Sequence, residues 1–329
     1  GPHAPAEATL RRLGAERDAT VAAQASRRNA SAARAPPLRA PFMDAFPAGV
    51  IEPKVLLRAP GASVLFKPPD WEVDTGGGAS PEGALPLSAL LGTGADNASV
   101  LRSVRHSNGF INRLDTPSSG LVLQATNYEG LYALQIQREL GRLERDYVAL
   151  CHGWLQAGRR ITARIKKRPG GSSRCSLQGA PACTRLKVLA HAECNKNPLT
   201  LVAATIDSGR THQIRCHLKY IGHPVVCDAR YGVNGDDAWC PSNFLHRYRL
   251  GFTGLDELQQ SVSTPLPLDL RAVLGGLRFL RGGDAANLWI SGRGAERRWD
   301  DWEDLGGWDA SHEPDPEPLE LAWIDLEPD

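Results

Sequence analysis

Residues 112–123 read Asn112-Arg-Leu-Asp-Thr-Pro-Ser-Ser-Gly-Leu-Val-Leu123, a polar turn with one carboxylate followed by an apolar run. The run Gly120–Ala125 is typical of a buried strand, and Ile111–Leu114 predicts a second strand on the other side of the turn. Asp115 is therefore predicted to lie where a strand meets a turn. Loops at the ends of strands commonly carry binding and catalytic groups, so this carboxylate is the first candidate for chemistry.

Apolar runs broken by turn residues continue on both sides of this stretch and predict one folded domain over residues 50–294. The spacing of leucine and isoleucine predicts helices over Asn127–Leu140 and Thr211–Ile221, the second with Thr211 at its start and Gly222 at its end. A short helix is also predicted from Leu85 to Leu91. Further strands are predicted at Ser63–Lys67, Tyr147–Cys151, Cys183–His191, Leu199–Ile206 and Asn243–Phe252. Strands mixed with a few helices indicate an α+β fold.

Both ends of the chain differ in composition from this domain. Residues 1–49 are rich in Ala, Arg and Pro and indicate a flexible extension, which begins with Gly1-Pro2-His3, a tripeptide typical of a cleaved tag. A remnant of an organellar transit peptide is the alternative interpretation of the extension. Residues 295–329 combine acidic residues with several tryptophans and show no core-forming periodicity, which indicates an acidic tail.

Charge is distributed unevenly along the chain. Residues 296–329 contain 13 acidic and two basic residues, which leaves 36 basic and 24 acidic residues in positions 1–295. A body with this excess of positive charge suits a polyanionic partner such as RNA, although charges spread over a solvated surface would give the same count. Three hypotheses stay open for the acidic tail: it binds a protein partner, it binds the basic cleft of its own domain, or it has no role in binding.

Several classes of function have no support in the sequence. The seven cysteines are scattered without a paired spacing, so neither a disulfide framework nor a zinc site is indicated, and reduced intracellular thiols are expected. His212 and His217 lie about 140° apart around the axis of their predicted helix, and no third metal ligand accompanies them. No apolar run approaches the roughly 18 to 20 residues that a membrane helix needs.

Charged and polar residues concentrate in three separate segments at predicted element ends: Asn112–Asp115, Arg145–Tyr147 and Gly209–Arg215. A carboxylate flanked by arginines stays ionised at neutral pH, which suits a nucleophile or a general base. A phenol with nearby guanidinium groups would offer a face for stacking a nucleobase and charges for phosphates. On composition alone, an arginine and an aspartate at such positions, here Arg113 and Asp115, more often form a structural ion pair beside a turn.

At these residues the chain resembles the RluA-type pseudouridine synthases. Asn112–Leu123 is similar to the family signature HRLDxxTSGLLL, Arg145–Tyr147 to its KxY element, and Asp207–Leu218 to its TGRTHQIRVHL element. The similarity continues through Val64–Pro68, Ile221–Asp228, Tyr231-Gly232 and Phe244–Leu250, the last of which resembles the family's LLHAYRL strand. It covers about residues 60–275 and leaves both ends of the chain outside.

The resemblance implies the pseudouridine synthase fold, a mixed and mostly antiparallel central sheet with flanking helices and an RNA-binding cleft. By position, Asp115 matches the catalytic aspartate, Tyr147 the tyrosine that stacks on the target base, and Arg215 the arginine that pairs with the aspartate. Arg113 matches the arginine that fills the gap left by the flipped nucleotide. Further RNA contacts are expected from Asn112, Arg145, Arg210, His212 and Gln213 in these motifs. Lys166 and Lys167 in the basic loop 159–174 are candidates for contacts with the RNA backbone, and a merely solvated loop is the alternative.

The implied reaction is the isomerisation of specific uridines in RNA to pseudouridine after base flipping, with no organic cofactor and no metal. Three routes stay open: Asp115 attacks the sugar, acts as a base toward it, or attacks the uracil ring. Ribosomal, transfer and messenger RNA are all candidate substrates. The protein is expected to be a monomer and to act inside the cell, with a mitochondrion or plastid among the candidate compartments.

Three positions depart from the family pattern: Asn112 stands for its histidine, Ser118-Ser119 for its threonine-serine pair, and Arg145 for its lysine. Because Arg and Lys differ in donor geometry, these changes are expected to affect substrate positioning more than chemistry. Two other hypotheses stay open. The chain could be an RNA-binding or RNA-chaperone module on the same scaffold without catalytic activity, or one part of a larger fusion protein.

Overall fold

The structure is a computed structural model that describes residues 52–73, 85–88, 99–169, 171–232 and 239–306. The predicted extension 1–49 and residues 307–329 of the predicted tail lie outside these ranges. Most of the predicted helix Leu85–Leu91 lies outside them as well, and its first two residues form a short strand. Within the described ranges, the helices are too short or too polar to span a lipid bilayer.

A large sheet forms the centre of the domain, and two small strand pairs lie beside it. The small pairs are β3 (Trp71–Glu72) with β4 (Leu85–Pro86), and β8 (Ile165–Lys167) with β9 (Ser173–Cys175). The strands of the large sheet are β1 (Lys54–Ala59), β2 (Ala62–Lys67), β5 (Ser119–Ala125), β6 (Glu144–His152), β7 (Arg160–Ile161), β10 (Thr184–Cys194), β11 (Asn197–Ile206), β12 (Leu245–Thr253), β13 (Gln259–Ser263) and β14 (Arg278–Arg281).

Neighbouring strands of the large sheet follow the order β1-β2-β5-β12-β6-β11-β10-β14, with β13 beside β12 and β7 beside β10. Every pair is antiparallel except β5 and β12, which run parallel where Ser119 pairs with His246 and Gly120 with Arg247. The predicted mixed, mostly antiparallel sheet is therefore confirmed. The parallel pairing places the first residues of β5, which closely follow Asp115, beside the start of β12.

Gly120 makes this parallel pairing sterically possible. Its φ of +126° lies in a region that side chains with a Cβ rarely adopt, and a Cβ at this position would lie 2.3 Å from the carbonyl oxygen of Arg247. The glycine of the Ser-Gly-Leu-Val-Leu motif therefore lets two backbones approach closely in the middle of the sheet.

Four α-helices occur in the described residues: α1 (Tyr128–Glu139), α2 (Gln213–Tyr220), α3 (Leu268–Gly275) and α4 (Gly283–Ile290). The prediction of a helix after β5 is confirmed, and the side chain of Asn127 caps it by accepting a hydrogen bond of 2.8 Å from the backbone N–H of Gly130. Helix α1 packs Leu131 and Leu134 against Leu121 and Leu123 of β5.

Alternate residues of the central strands face two different cores. In β6, Val148 and Leu150 pack with α3 and α4 on one face of the sheet, whereas Tyr147 and Ala149 pack with Ile214 and Leu218 of α2 on the other. Both faces of the strand are buried, which explains why it reads as a continuous apolar run. The candidate catalytic residues therefore lie on the α2 face, away from α3 and α4.

The predicted strand Ile111–Leu114 is wrong. Residues 111–114 form an irregular segment in which the carbonyl of Ile111 accepts a hydrogen bond from Arg138, and that of Arg113 accepts one from Arg247. Arginine side chains donate hydrogen bonds to these carbonyl groups, which in a strand would accept from the N–H groups of a neighbouring strand. The backbone of this segment therefore has hydrogen-bond partners without belonging to the sheet. Only Phe110, just before this segment, forms an isolated bridge, with Gln124.

Helix α2 begins later than predicted, at Gln213 rather than near Thr211. Its N-cap position is His212, which has a φ of +54° and makes no capping hydrogen bond through its side chain. The predicted end is correct, because Gly222 has a φ of +83° just after the last turn. The predicted apolar face is also correct, since Ile214 and Leu218 are buried.

The packed part of the chain extends beyond residue 294, where the sequence placed the start of the acidic tail. Trp302 is 3% exposed and stacks on Trp289 of α4 with ring centroids 5.5 Å apart. Lys187 of β10 donates hydrogen bonds to the carbonyls of Trp299 and Trp302. Aromatic burial and a lysine anchor therefore hold this segment on the sheet up to about Gly306, despite its acidic composition.

Asp304 fixes the end of this segment, and its replacement by alanine is expected to lower the free energy of unfolding by about 1 kcal/mol. The carboxylate accepts hydrogen bonds from the backbone N–H groups of Gly158, at 2.8 Å, and Val188, at 2.7 Å. Urea unfolding of Asp304→Ala against the exposed neighbour Glu303→Ala measures this effect. Equal midpoints for the two variants would show that these hydrogen bonds contribute nothing.

Candidate active site

An open cleft of about 500 Å³ lies on the α2 face of the sheet, between the segment 107–118 and the loop before α2. Strands β6, β11 and β12 contribute its floor through residues such as Tyr147, Ile206 and Arg247. The structure brings most of the predicted site residues together here. These are Asn112, Arg113, Asp115, Arg145, Tyr147, Arg210, His212, Gln213 and Arg215.

Arg215 links two carboxylates at the base of the cleft. Its Nη1 donates to Oδ2 of Asp115 at 2.8 Å, while Nε and Nη2 donate to the two oxygens of Asp228 at 2.6 and 2.7 Å. The side chain of Asp228 is fully buried, whereas that of Asp115 is 20% exposed. Asp228 therefore fixes the guanidinium bidentately, and the guanidinium in turn orients the one carboxylate of the pair that is open to the cleft.

The charges of this triad are mutually stabilised. Burial alone would raise the pKa of Asp228, but its hydrogen bonds with Arg215 and the charge of Arg215 outweigh burial and hold the pKa below its ordinary value. Burial likewise opposes the charged form of Arg215, yet the two aspartates raise its pKa. Arg215 is thus a permanent cation beside Asp115 at any physiological pH.

Buried basic side chains also hold the backbone on both sides of Asp115. Nζ of Lys67, a fully buried lysine, donates to the carbonyl of Thr116 at 3.1 Å and to those of Pro68 and Trp71 at 2.8 Å. Burial lowers the pKa of Lys67 to about 7, while the charges of Asp70 and Asp115 act in the opposite direction. Together with Arg247 on the carbonyl of Arg113, Lys67 fixes the turn that presents the carboxylate.

Arg247 is the main residue of the cleft that sequence reasoning missed. Its Nε donates to the hydroxyl of Tyr147 at 2.8 Å, and its guanidinium carbon lies 5.0 Å from the centre of the tyrosine ring. The same guanidinium donates to Oδ1 of Asn112 at 2.9 Å. One signal could have found it: Arg247 occupies the place of the alanine in the LLHAYRL pattern, and an arginine within an apolar strand needs buried acceptors.

His212 lies next to the triad. Its Nε2 is 3.9 Å from Oδ1 of Asp115, and its Nδ1 forms a hydrogen bond of 2.9 Å with the hydroxyl of Tyr231. Burial lowers the pKa of His212 more than the charge of Asp115 raises it, so the imidazole is neutral at pH 7. His212 therefore borders the free oxygen of Asp115 as a polar, uncharged neighbour.

Two of the predicted RNA contacts lie outside the cleft, and two others line it but direct their polar groups into the protein. Lys166 and Lys167 lie on β8, outside the cleft lining. The side-chain amide of Gln213 forms its hydrogen bonds within the protein. Its Oε1 accepts from Ser208 and Arg210, and its Nε2 donates to Cys183 and Thr184. The guanidinium of Arg145, a residue only 2% exposed, donates to the carbonyls of Ile206 and Asp207. Gln213 and Arg145 thus brace the cleft wall from within.

His246, buried behind the cleft, is expected to make the fold sensitive to acid. Its ring bonds Ser119 and the carbonyl of Thr264, and burial lowers its pKa to about 4. The unfolded chain takes up this proton near pH 6.5, so stability is lost as the pH falls from about 6.5 to 4, by about 2 to 3 kcal/mol from this residue.

Urea unfolding between pH 7 and pH 4.5 tests this prediction. The free energy of unfolding should fall less steeply with acid for His246→Gln than for the wild type. The partly exposed His106 provides a matched variant, His106→Gln, which controls for the loss of one histidine from the chain. Parallel curves for all three proteins would contradict the role of His246.

Comparison with known proteins agrees with the fold. The family model for RNA pseudouridylate synthases matches residues 64–220 of this chain. The ribosomal large subunit pseudouridine synthase D of Nitrosomonas europaea is 31% identical over 237 residues, which cover 69% of this chain and 66% of that protein. The chain belongs to the RNA pseudouridine synthase family, and within it to the RluA type.

Another bacterial relative and a solved structure are also similar to this chain. The ribosomal large subunit pseudouridine synthase C of Haemophilus ducreyi is 34% identical over 193 residues, which cover 54% of this chain and 59% of that protein. The structure of human RNA pseudouridylate synthase domain containing 1 shares the fold, with a TM-score of 0.56, 23% identity, and coverage of 75% of this chain and 97% of that one. The chain thus spans 59% to 66% of the length of these two bacterial relatives.

Proposed function

We propose that this protein isomerises specific uridines in RNA to pseudouridine, with Asp115 as the catalytic carboxylate. The observation that carries the proposal is the ion pair of 2.8 Å between Asp115 and the buried Arg215, in a cleft that Tyr147 also lines. An ionised carboxylate, a fixed cation and an aromatic face are the groups that a base-isomerising site needs within one enclosure.

The reaction sets clear demands on the cleft. The bond between N1 of uracil and C1′ of ribose breaks, and the base turns within the cleft. A new bond then forms between C5 and C1′, after which C5 loses its proton and N1 gains one. Nothing is lost or gained, so the base must be retained throughout. A cleft of about 500 Å³ falls within the size range of small-molecule sites and accommodates one flipped nucleotide.

Each group has a task in this proposal. Arg215 binds Oδ2 of Asp115 and leaves Oδ1 facing His212 and the cleft, so the free oxygen is the one that attacks the nucleotide or removes a proton from it. All three open routes start from the ionised carboxylate. Tyr147 stacks on the base during its rotation, and Arg113 at the exposed rim enters the helix in place of the extruded nucleotide.

Ribosomal RNA is the first candidate substrate, because the relatives in Nitrosomonas europaea and Haemophilus ducreyi are named as synthases of the large ribosomal subunit. Arg113 and Arg210 are exposed where the cleft opens and would neutralise phosphates of the bound strand. Lys166 and Lys167 would extend this basic surface along β8.

The test is pseudouridine mapping, by chemical adduct and primer stop, in RNA from cells that lack the gene and carry either the wild type or Asp115→Asn. We expect at least one uridine that is modified with the wild type and unmodified with the variant. Crosslinking of both proteins to the same RNA, without any pseudouridine that depends on the wild type, would instead support an RNA-binding module without catalytic activity.

A further inference from the structure

The guanidinium of Arg247 is almost completely buried, and its hydrogen bonds go to neutral groups. It donates to the hydroxyl of Tyr147, to the amide oxygen of Asn112, and to the carbonyls of Leu121 at 3.0 Å and Arg113 at 3.1 Å. No carboxylate of the described residues forms an ion pair with it. A buried charge with neutral partners alone is costly, which favours a functional reason for its presence.

These acceptors belong to three different segments around the cleft. Tyr147 lies on β6, Leu121 on β5, and Asn112 and Arg113 precede Asp115 in the irregular segment. One rigid, planar group therefore sets the distance between the candidate stacking ring and the backbone that carries the candidate carboxylate. A planar guanidinium loses little conformational entropy for each hydrogen bond that it forms. It is therefore well suited to holding the ring of Tyr147 at a fixed distance from the backbone that carries Asp115.

The position of Arg247 also explains the departure at Asn112. The family pattern has histidine and alanine where this chain has Asn112 and Arg247, and here the two side chains share a hydrogen bond of 2.9 Å. The shorter asparagine leaves room for the arginine and offers it an acceptor. The two substitutions therefore form one structural unit, although 135 residues separate them in the sequence.

We propose that Arg247 is a positioning residue, which with Asn112 aligns the ring of Tyr147 with the carboxylate of Asp115 for the isomerisation. Arg247 acts through these residues and makes no contact with the reacting atoms. This inference rests on the proposed function, and it adds a determinant that the family pattern does not contain. It predicts that losing Arg247 slows the chemical step while RNA binding is largely retained.

The experiment measures single-turnover rates with excess enzyme on an RNA transcript that contains a uridine found by the mapping above. We expect Arg247→Ala to lower the rate constant at saturation at least about tenfold, with the half-saturating enzyme concentration changed by less than about threefold. Arg249→Ala, which removes another arginine of β12 outside the cleft lining, is the matched control and should keep the wild-type rate constant.

The double variant Asn112→His/Arg247→Ala restores the side chains of the family pattern and provides the rescue. We expect Asn112→His alone to be slow, because the imidazole crowds Arg247, and the double variant to be faster than either single variant. Coupled residues give such non-additive effects, whereas independent ones multiply. If Arg247→Ala does not fold, the single-turnover rate constants of Asn112→His and the double variant are compared instead, and a faster double variant supports the inference.

A rate constant of Arg247→Ala within about twofold of the wild type, or a double variant no faster than Asn112→His, would overturn this inference alone. A wild-type protein that forms no pseudouridine in any RNA would overturn the proposed function and this inference together. The two failures are therefore distinguished by the wild-type measurement.

Discussion

Asp115→Asn is expected to reduce the single-turnover rate of pseudouridine formation by at least about a thousandfold, with RNA affinity largely unchanged. Asparagine keeps the size of the side chain and an oxygen for Arg215, so the geometry of the cleft should persist. It loses the negative charge, on which all three routes for the carboxylate depend. The chemical step is therefore removed and the binding surface is left in place.

Filter binding and single-turnover assays on the same transcript separate these two effects. Asp284→Asn is the matched control, because it removes an exposed carboxylate from α4 on the opposite face of the sheet, and it should retain the wild-type rate. Circular dichroism verifies that both variants are folded. An Asp115→Asn protein with more than about a tenth of the wild-type rate would show that the charge of this carboxylate is not required.

The sequence predicted those elements of the fold that depend on a local pattern of apolar residues. Gly120 and the apolar run after it predicted β5, and the isoleucine and leucine spacing predicted the face of α2 that packs on the sheet. The convergence of Asp115, Tyr147 and Arg215 followed from the resemblance and not from spacing. These residues come from three segments that only the strand order β5-β12-β6 and the packing of α2 bring together.

The wrong or missing predictions have a common physical cause. In each case the residue's environment is set by contacts with residues that are distant in the sequence. Residues 111–114 have the composition of a strand, but Arg138 and Arg247 bind their carbonyls from elsewhere in the chain. Trp302 sits in an acidic context and is buried only because Trp289 and Tyr248 offer an aromatic surface. Arg247 was overlooked since its four acceptors lie on β5, β6 and the segment before Asp115.

Arg215→Met is expected to lower the free energy of unfolding by about 3 to 5 kcal/mol, because it leaves the carboxylate of Asp228 buried without a counter-ion. Two backbone N–H groups, of Arg230 and Tyr231, would be the remaining donors to that carboxylate. Methionine is uncharged and similar in length to arginine. The decrease in the free energy of unfolding should therefore reflect the lost ion pair more than the creation of a cavity. Chemical denaturation at pH 7 measures it.

A second substitution separates the structural role of Arg215 from its role toward Asp115. In Arg215→Met/Asp228→Asn the buried charge is gone, and the amide oxygen can still accept from both backbone N–H groups, so most of the lost stability should return. Pseudouridine formation should stay at least about tenfold below the wild type, because Asp115 still lacks its cation. If the double variant regained both stability and activity, Arg215 would serve only to neutralise Asp228, and the orientation of Asp115 would have to come from Lys67 and Arg247 through the backbone of its turn.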